Sequence, residues 1–203
     1  MTDYKAIHGK NIQSLASDLD DAEGEGQIWF NSTSNDYKTI IKVAGAWATG
    51  GTMNTGRGGG SSAGASNSSA IAFGGGTVNA ETYDGSSWTE TANLGTSRTF
   101  AGGCGTQTSA LCAGHFPASD VSEEWDGSSW SEGNDLNTAR GQVNLSGVHT
   151  DAVIFGGAPG VKTETEEYNG TSWSEQNDLN AGRRYIEGSG ATGQAALAFG
   201  GDS

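Results

Sequence analysis

Four tryptophans set the frame for this chain: Trp47, Trp88, Trp130 and Trp173 lie 41, 42 and 43 residues apart. A period of about 42 residues belongs to stacked copies of one supersecondary unit, because so short a unit cannot bury its faces alone. The rest of the period repeats in register. Met53, Leu94, Leu136 and Leu179 each follow the Trp by six residues, and Arg57, Arg98, Arg140 and Arg183 follow it by ten. Next comes an apolar run closed by a glycine pair: Ile71-Ala72-Phe73 before Gly74 and Gly75, Val153-Ile154-Phe155 before Gly156 and Gly157, and Leu197-Ala198-Phe199 before Gly200 and Gly201. The second copy degenerates to Leu111-Cys112-Ala113-Gly114-His115. An acidic-aromatic stretch then leads into a turn and the next Trp, as in Glu81-Thr82-Tyr83-Asp84-Gly85, Glu123-Glu124-Trp125-Asp126-Gly127 and Glu166-Glu167-Tyr168-Asn169-Gly170.

Propeller blades and helical arrays share this period, and the contents choose between them. No segment carries apolar residues at helical spacing, and glycine recurs every few positions. Four short strands fit each period instead. The first follows the Arg, and the second is the apolar run. The third carries the acidic-aromatic stretch, and the fourth begins at the Trp. Asp-Gly or Asn-Gly between the last two is a strong hairpin signal. Thr106-Gln107-Thr108 sits where the first hairpin of its copy turns. Each unit therefore reads as a four-stranded antiparallel meander.

Composition supports a folded chain. Hydrophobic residues are only 33% and glycines number 34, yet six Trp, five Tyr and six Phe drive collapse. The net charge of −14 opposes binding to nucleic acid through its phosphates and to anionic membranes. No apolar run reaches membrane-spanning length, and Met1 to Asp20 carries neither a basic nor an apolar region of a signal peptide. Synthesis in a cytoplasm is the expectation. Cys104 and Cys112 are the only cysteines, too few for a disulfide framework or a four-cysteine zinc site.

An apolar strand ending in Gly-Gly, then a Tyr, then a Trp five residues later resembles the kelch repeat. The resemblance runs from about Trp47 to Gly201, and departs from the family at His115 and at Trp125, which replaces the Tyr. It implies an all-β, kelch-like β-propeller of about four blades. Three units are complete, and the fourth stops after its second strand. The resemblance implies closure of that blade from both chain ends, with residues 27–50 completing the blade begun at 183–201, so that the propeller occupies residues 27–203. An open stack completed by neighbouring subunits is the alternative.

Residues 1–26 read as a short, polar N-terminal arm. Ile12-Gln13-Ser14-Leu15-Ala16-Ser17-Asp18 and then Gly26-Gln27-Ile28-Trp29-Phe30-Asn31-Ser32-Thr33-Ser34 resemble the lead-in of tailed-bacteriophage virion proteins, which precedes glycine-rich kelch-like repeats. This resemblance implies a non-enzymatic virion structural protein: a tail fibre, appendage or surface protein. Its arm would dock to other virion proteins, and its propeller loops would meet a host receptor or glycan. A homo-oligomer, a trimer above others, is expected, with no nucleic-acid partner and no membrane insertion. A cellular carbohydrate- or protein-binding propeller is the alternative, and a degenerate kelch oxidase or hydrolase is a third reading.

A catalytic set is not legible. His8, His115 and His149 are scattered over the arm and two units, and a kelch copper oxidase needs tyrosine and histidine ligands with a cysteine beside them. No cofactor and no metal site are expected. The four repeated arginines either ring a pore for an anion or pair with Glu81, Glu123 and Glu166. Pairing is the reading a fold requirement favours, since a buried Arg needs a carboxylate. The repeated Trp residues read as filling between units, with a sugar-stacking platform as the alternative. Asp84, Asp126 and Asn169 read as turn residues rather than calcium ligands, having no second carboxylate nearby. Cys104 and Cys112 flank one hairpin turn, and whether they pair is left open.

Overall fold

The computed structural model describes residues 13–17, 28–39 and 49–203. The chain divides into two compact units, residues 1–49 and 50–203.

In the larger unit, the turn chemistry of the repeat folds each copy back on itself. Asp84 N bonds to Ser87 O at 3.3 Å, so Gly85 and Ser86 are the two central turn residues. Gly85 has φ of 98°, which places a left-handed glycine first, as a type II′ hairpin requires. Gly127 and Gly170 repeat this at 97° and 88°. The Asp sits one place earlier than an Asp-Gly turn centre would put it. Its carboxylate caps the turn, with Asp84 Oδ1 accepting from the amides of Ser86 and Ser87 at 2.8 Å each.

Three antiparallel four-stranded meanders result. The first is β4 (Gly60–Ser66), β5 (Ser69–Gly74), β6 (Ala80–Tyr83) and β7 (Trp88–Thr91). The second is β8 (Gly102–Thr106), β9 (Ser109–Ala113), β10 (Ser122–Trp125) and β11 (Trp130–Glu132), and its first hairpin turns at Gln107-Thr108. The third is β12 (Asn144–Val148), β13 (Asp151–Phe155), β14 (Thr165–Tyr168) and β15 (Trp173–Glu175). A two-stranded sheet, β16 (Arg184–Gly190) and β17 (Ala196–Asp202), begins a fourth. Among the described residues there is no helix, and so none long and apolar enough to cross a membrane.

Apolar side chains from neighbouring meanders close the core. One buried cluster joins Ile71 and Phe73 of the first meander to Ala110, Cys112 and Trp125 of the second. Another joins Cys104 and Leu111 of the second to Leu145, Ile154 and Tyr168 of the third. The second meander thus has both faces covered by its neighbours, as the repeat argument requires. The first strands run side by side: β4 beside β8, β8 beside β12, β12 beside β16.

In the smaller unit, β1 (Gln13–Leu15) pairs in parallel with β2 (Ile28–Asn31), which pairs antiparallel with β3 (Asp36–Thr39). Trp29 is buried there, and Asn31 Oδ1 caps the β2–β3 turn by accepting from the amides of Thr33 and Ser34. So residues 13–15 of the expected arm form a strand. Residues 1–12 and 18–26 of that arm, the landmark Trp47, and residues 27 and 40–48, on which the closure reading turns, lie outside the described residues.

Candidate functional site

The repeated arginines knit each meander together. Arg57, Arg98 and Arg140 pair with Glu81, Glu123 and Glu166 at 2.9, 2.7 and 2.6 Å. Each guanidinium also donates to the carbonyl closing the second strand and to one in the following loop: Gly74 and Asn79, Gly114 and Val121, Gly156 and Glu164. The carboxylates in turn hold the loop before the Arg. Glu166 accepts from the amides of Asn137 at 2.7 Å and Thr138 at 3.1 Å. Among the described residues, the Arg183 guanidinium has Gly200 O as its one hydrogen-bond partner, at 2.9 Å. With their side chains engaged this way, Arg57, Arg98 and Arg140 do not offer a ring of free cations.

The glycine pairs join one meander to the next. Gly75 N and Gly76 N donate to Arg98 O, and Gly157 N donates to Arg183 O. His115 fills the degenerate position and keeps the bond, its amide donating to Arg140 O at 3.0 Å. Its Nδ1 accepts from Thr99 N at 2.8 Å, and burial followed by the Arg98 charge lowers its pKa. Gly74, Gly156, Gly200 and Gly201 share the left-handed backbone of the pair. The tryptophans stack across their turns on the preceding aromatic: Trp88 on Tyr83, Trp130 on Trp125, Trp173 on Tyr168, with centroids 4.9, 5.5 and 4.9 Å apart. Trp130 also meets Phe73 of the neighbouring meander edge-on at 4.8 Å.

A different position gathers the exposed chemistry. The residue two places after each Arg is Gly59, Phe100, Gln142 or Tyr185, and all four have left-handed backbones, with φ of 67°, 52°, 56° and 52°. For the three that carry side chains this costs of order 1–3 kcal/mol each. Their backbones form a chain of hydrogen bonds: Phe100 N to Gly59 O, Gln142 N to Phe100 O and Tyr185 N to Gln142 O, at 2.7, 2.8 and 2.9 Å. They therefore collect at one end of the four first strands, where they help line a cavity of about 410 Å³.

Phe100 and Tyr185 are 37% and 46% exposed, and their rings meet at 82° with centroids 5.8 Å apart. Phe116 stands edge-on to Phe100 at 6.2 Å. Gln142 is buried, and its Nε2 donates to the Tyr185 hydroxyl at 2.6 Å. Among the described residues its Oε1 has no partner. Asn144 Nδ2 donates to Glu187 Oε2 at 2.6 Å, and both residues line the cavity. A C-β at Gly59 would lie 2.7 Å from the Phe100 ring, so the glycine there is what leaves that ring its place.

Among the described residues, no group of three or more His, Cys, Asp or Glu side chains is placed to hold a metal ion. Cys104 and Cys112 are free and lie in different core clusters, Cys104 opposite Leu111 and Cys112 opposite Gly103. They do not face each other across the hairpin. Burial pushes both thiols up to about 12, away from the reactive thiolate. A second polar cluster joins two meanders: the Tyr168 hydroxyl donates to Glu124, whose other oxygen is 3.2 Å from His149 Nε2. Burial, and then Glu124, raise the Tyr168 pKa. Comparison with protein-family models and with curated proteins finds no match.

Proposed function

We propose that this chain is a non-enzymatic structural protein of a tailed-bacteriophage virion, a fibre, appendage or surface protein that contributes to host attachment. In this reading the three meanders and β16–β17 are blades of a kelch-like β-propeller of four blades. Residues 27–50 supply the strands that the fourth blade lacks, and the N-terminal segment docks to other virion proteins. The assembly is a homo-oligomer, a trimer, since closed symmetry multiplies weak receptor contacts.

The observation that carries the attachment role is the aromatic and amide cluster at one end of the first strands. Exposed Phe100 and Tyr185, with Phe116 edge-on to Phe100, stand at a cavity whose lining also carries Gln142 and Asn144, the form that recognition sites take. The virion assignment is supported by the lead-in Gly26 to Ser34 standing directly before glycine-rich repeats. A cellular carbohydrate- or protein-binding propeller would use the same cavity and differ in its surroundings. A mass-spectrometric inventory of purified virions tests the assignment: the chain is expected among the particle proteins, and its consistent absence would sink the virion reading.

A further inference from the structure

We propose that the Phe100–Tyr185 mouth is a binding site for a neutral sugar ring. The inference deepens the attachment reading and rests on it for the site's purpose, though not for its chemistry.

Position two after the Arg shares its backbone from copy to copy but not its residue. Arg and Trp recur in every copy and the glycine pair in all but the second, whereas this position holds Gly59, Phe100, Gln142 and Tyr185 in turn. A fold requirement would ask for the residue that takes a left-handed backbone without strain, which is glycine. Only the first copy has it. Three bulky side chains kept in a strained conformation, all gathered at one mouth, are arranged for what they present rather than for the fold. The other end of the same four strands makes the contrast. Its cavity, of about 420 Å³, is lined mostly by serine, glycine and alanine, and it gathers no aromatic ring.

The chemistry of the mouth selects the ligand class. A pyranose has C–H-bearing faces that pack on aromatic rings and an edge of hydroxyls that both donate and accept. Phe100 and Tyr185, nearly perpendicular, form a corner for such a ring. The unpartnered Gln142 Oε1 is a buried acceptor that a ligand hydroxyl would satisfy. Asn144, Glu187 and Ser61 add planar or hydroxyl groups to the cavity lining. Among the described residues no Lys or Arg lines the cavity; Arg184 packs its guanidinium on the Tyr185 ring instead, 5.8 Å from the centroid. With Glu187 in the lining and a net charge of −14, an anionic sugar is disfavoured.

The full-length protein, applied to an array of neutral and sialylated glycans, is expected to retain neutral ones. Saturation-transfer NMR with the retained glycan should then mark its ring C–H protons. Phe100→Gly and Tyr185→Gly are each expected to weaken binding by about tenfold or more, while Ser189→Ala at the opposite end leaves it unchanged. Because glycine relieves the left-handed strain, the two glycine variants should melt at or above the parent temperature. An array with no neutral glycan retained, retention of sialylated glycans alone, or binding that survives both glycine variants would each overturn the proposal. So would a clear fall in melting temperature in both variants, which would make the rings core packing. Absence from virions with glycan binding intact sinks only the virion reading; presence in virions with a blank array sinks only the sugar site.

Discussion

At the scale of single residues, a side chain's weight follows what remains unpaired when it is removed. The Arg140 and Glu166 side chains are both fully buried, and the Glu166 carboxylate accepts from Arg140 and two backbone amides. Arg140→Met strips the countercharge from a buried carboxylate, a loss that costs about 3–5 kcal/mol. Arg183→Met removes a bond to a single carbonyl and should cost about 1 kcal/mol. Urea denaturation of the two variants checks the contrast, and equal losses would show that the carboxylate is not what makes the repeated Arg matter. The aromatic pair in the second meander divides in the same way. Trp125 is 1% exposed and its Nε1 donates to Gln107 O, whereas Trp130 is only half-buried. Trp125→Ala should cost about 3–5 kcal/mol, as large aromatic truncations in cores do. Trp130→Ala should fall in the ordinary range of roughly 0.5–3 kcal/mol. A larger loss at Trp130, read from the same denaturation curves, would reverse that ranking.

At the scale of elements, the turns carry the acid sensitivity. Hydrogen bonds from the Ser129 amide, then from Ser128, hold the Asp126 carboxyl at about 2 against an ordinary 3.8, and Asp84 is lowered the same way by Ser87 and Ser86. A carboxylate depressed in the fold contributes stability that is full above its unfolded value and lost as pH falls through its folded value. Melting temperature should therefore drop between about pH 4 and pH 2. Asp84→Asn with Asp126→Asn should flatten that slope while keeping the fold, since Asn169 already caps the third turn through its Oδ1. An unchanged slope would remove the turn carboxylates as the source of the acid sensitivity and leave Glu81 and Glu164, whose pKa values are also lowered. These turns, the four strands per period and the acid partners of the arginines are legible in the sequence because each is local or recurs in register. The Asp carboxylate's place before the turn centre is not, since Asp-Gly alone does not say which residue leads the turn. The parallel pairing of β1 with β2 is hidden because it joins distant segments with no turn signal. The mouth is hidden twice over. Nothing in Phe, Gln or Tyr announces a left-handed backbone, and their meeting depends on first strands packing side by side. The one available signal was Gly59, a glycine at the position where the other copies carry Phe100, Gln142 and Tyr185.

At the scale of the whole molecule, the question is what completes the fourth copy. Among the described residues, β16 and β17 pair only with each other, and β17 carries Leu197 and Phe199 at 72% and 53% exposure. A two-stranded sheet with apolar side chains on its outer strand is a template for further pairing. If residues 27–50 supply the missing strands, a chain reduced to residues 50–203 has lost them and keeps that edge. It is expected to self-associate or aggregate in sedimentation at concentrations where the full chain stays discrete. Adding Leu197→Lys and Phe199→Lys to the shortened chain should restore solubility without restoring stability, because charge blocks edge pairing and replaces no strand. The outcome that defeats shared-blade closure is a shortened chain as soluble and as stable to urea as the parent. The three meanders and their half-finished neighbour would then be a self-sufficient stack. The N-terminal unit would be a separate module whose contribution to a particle is docking alone.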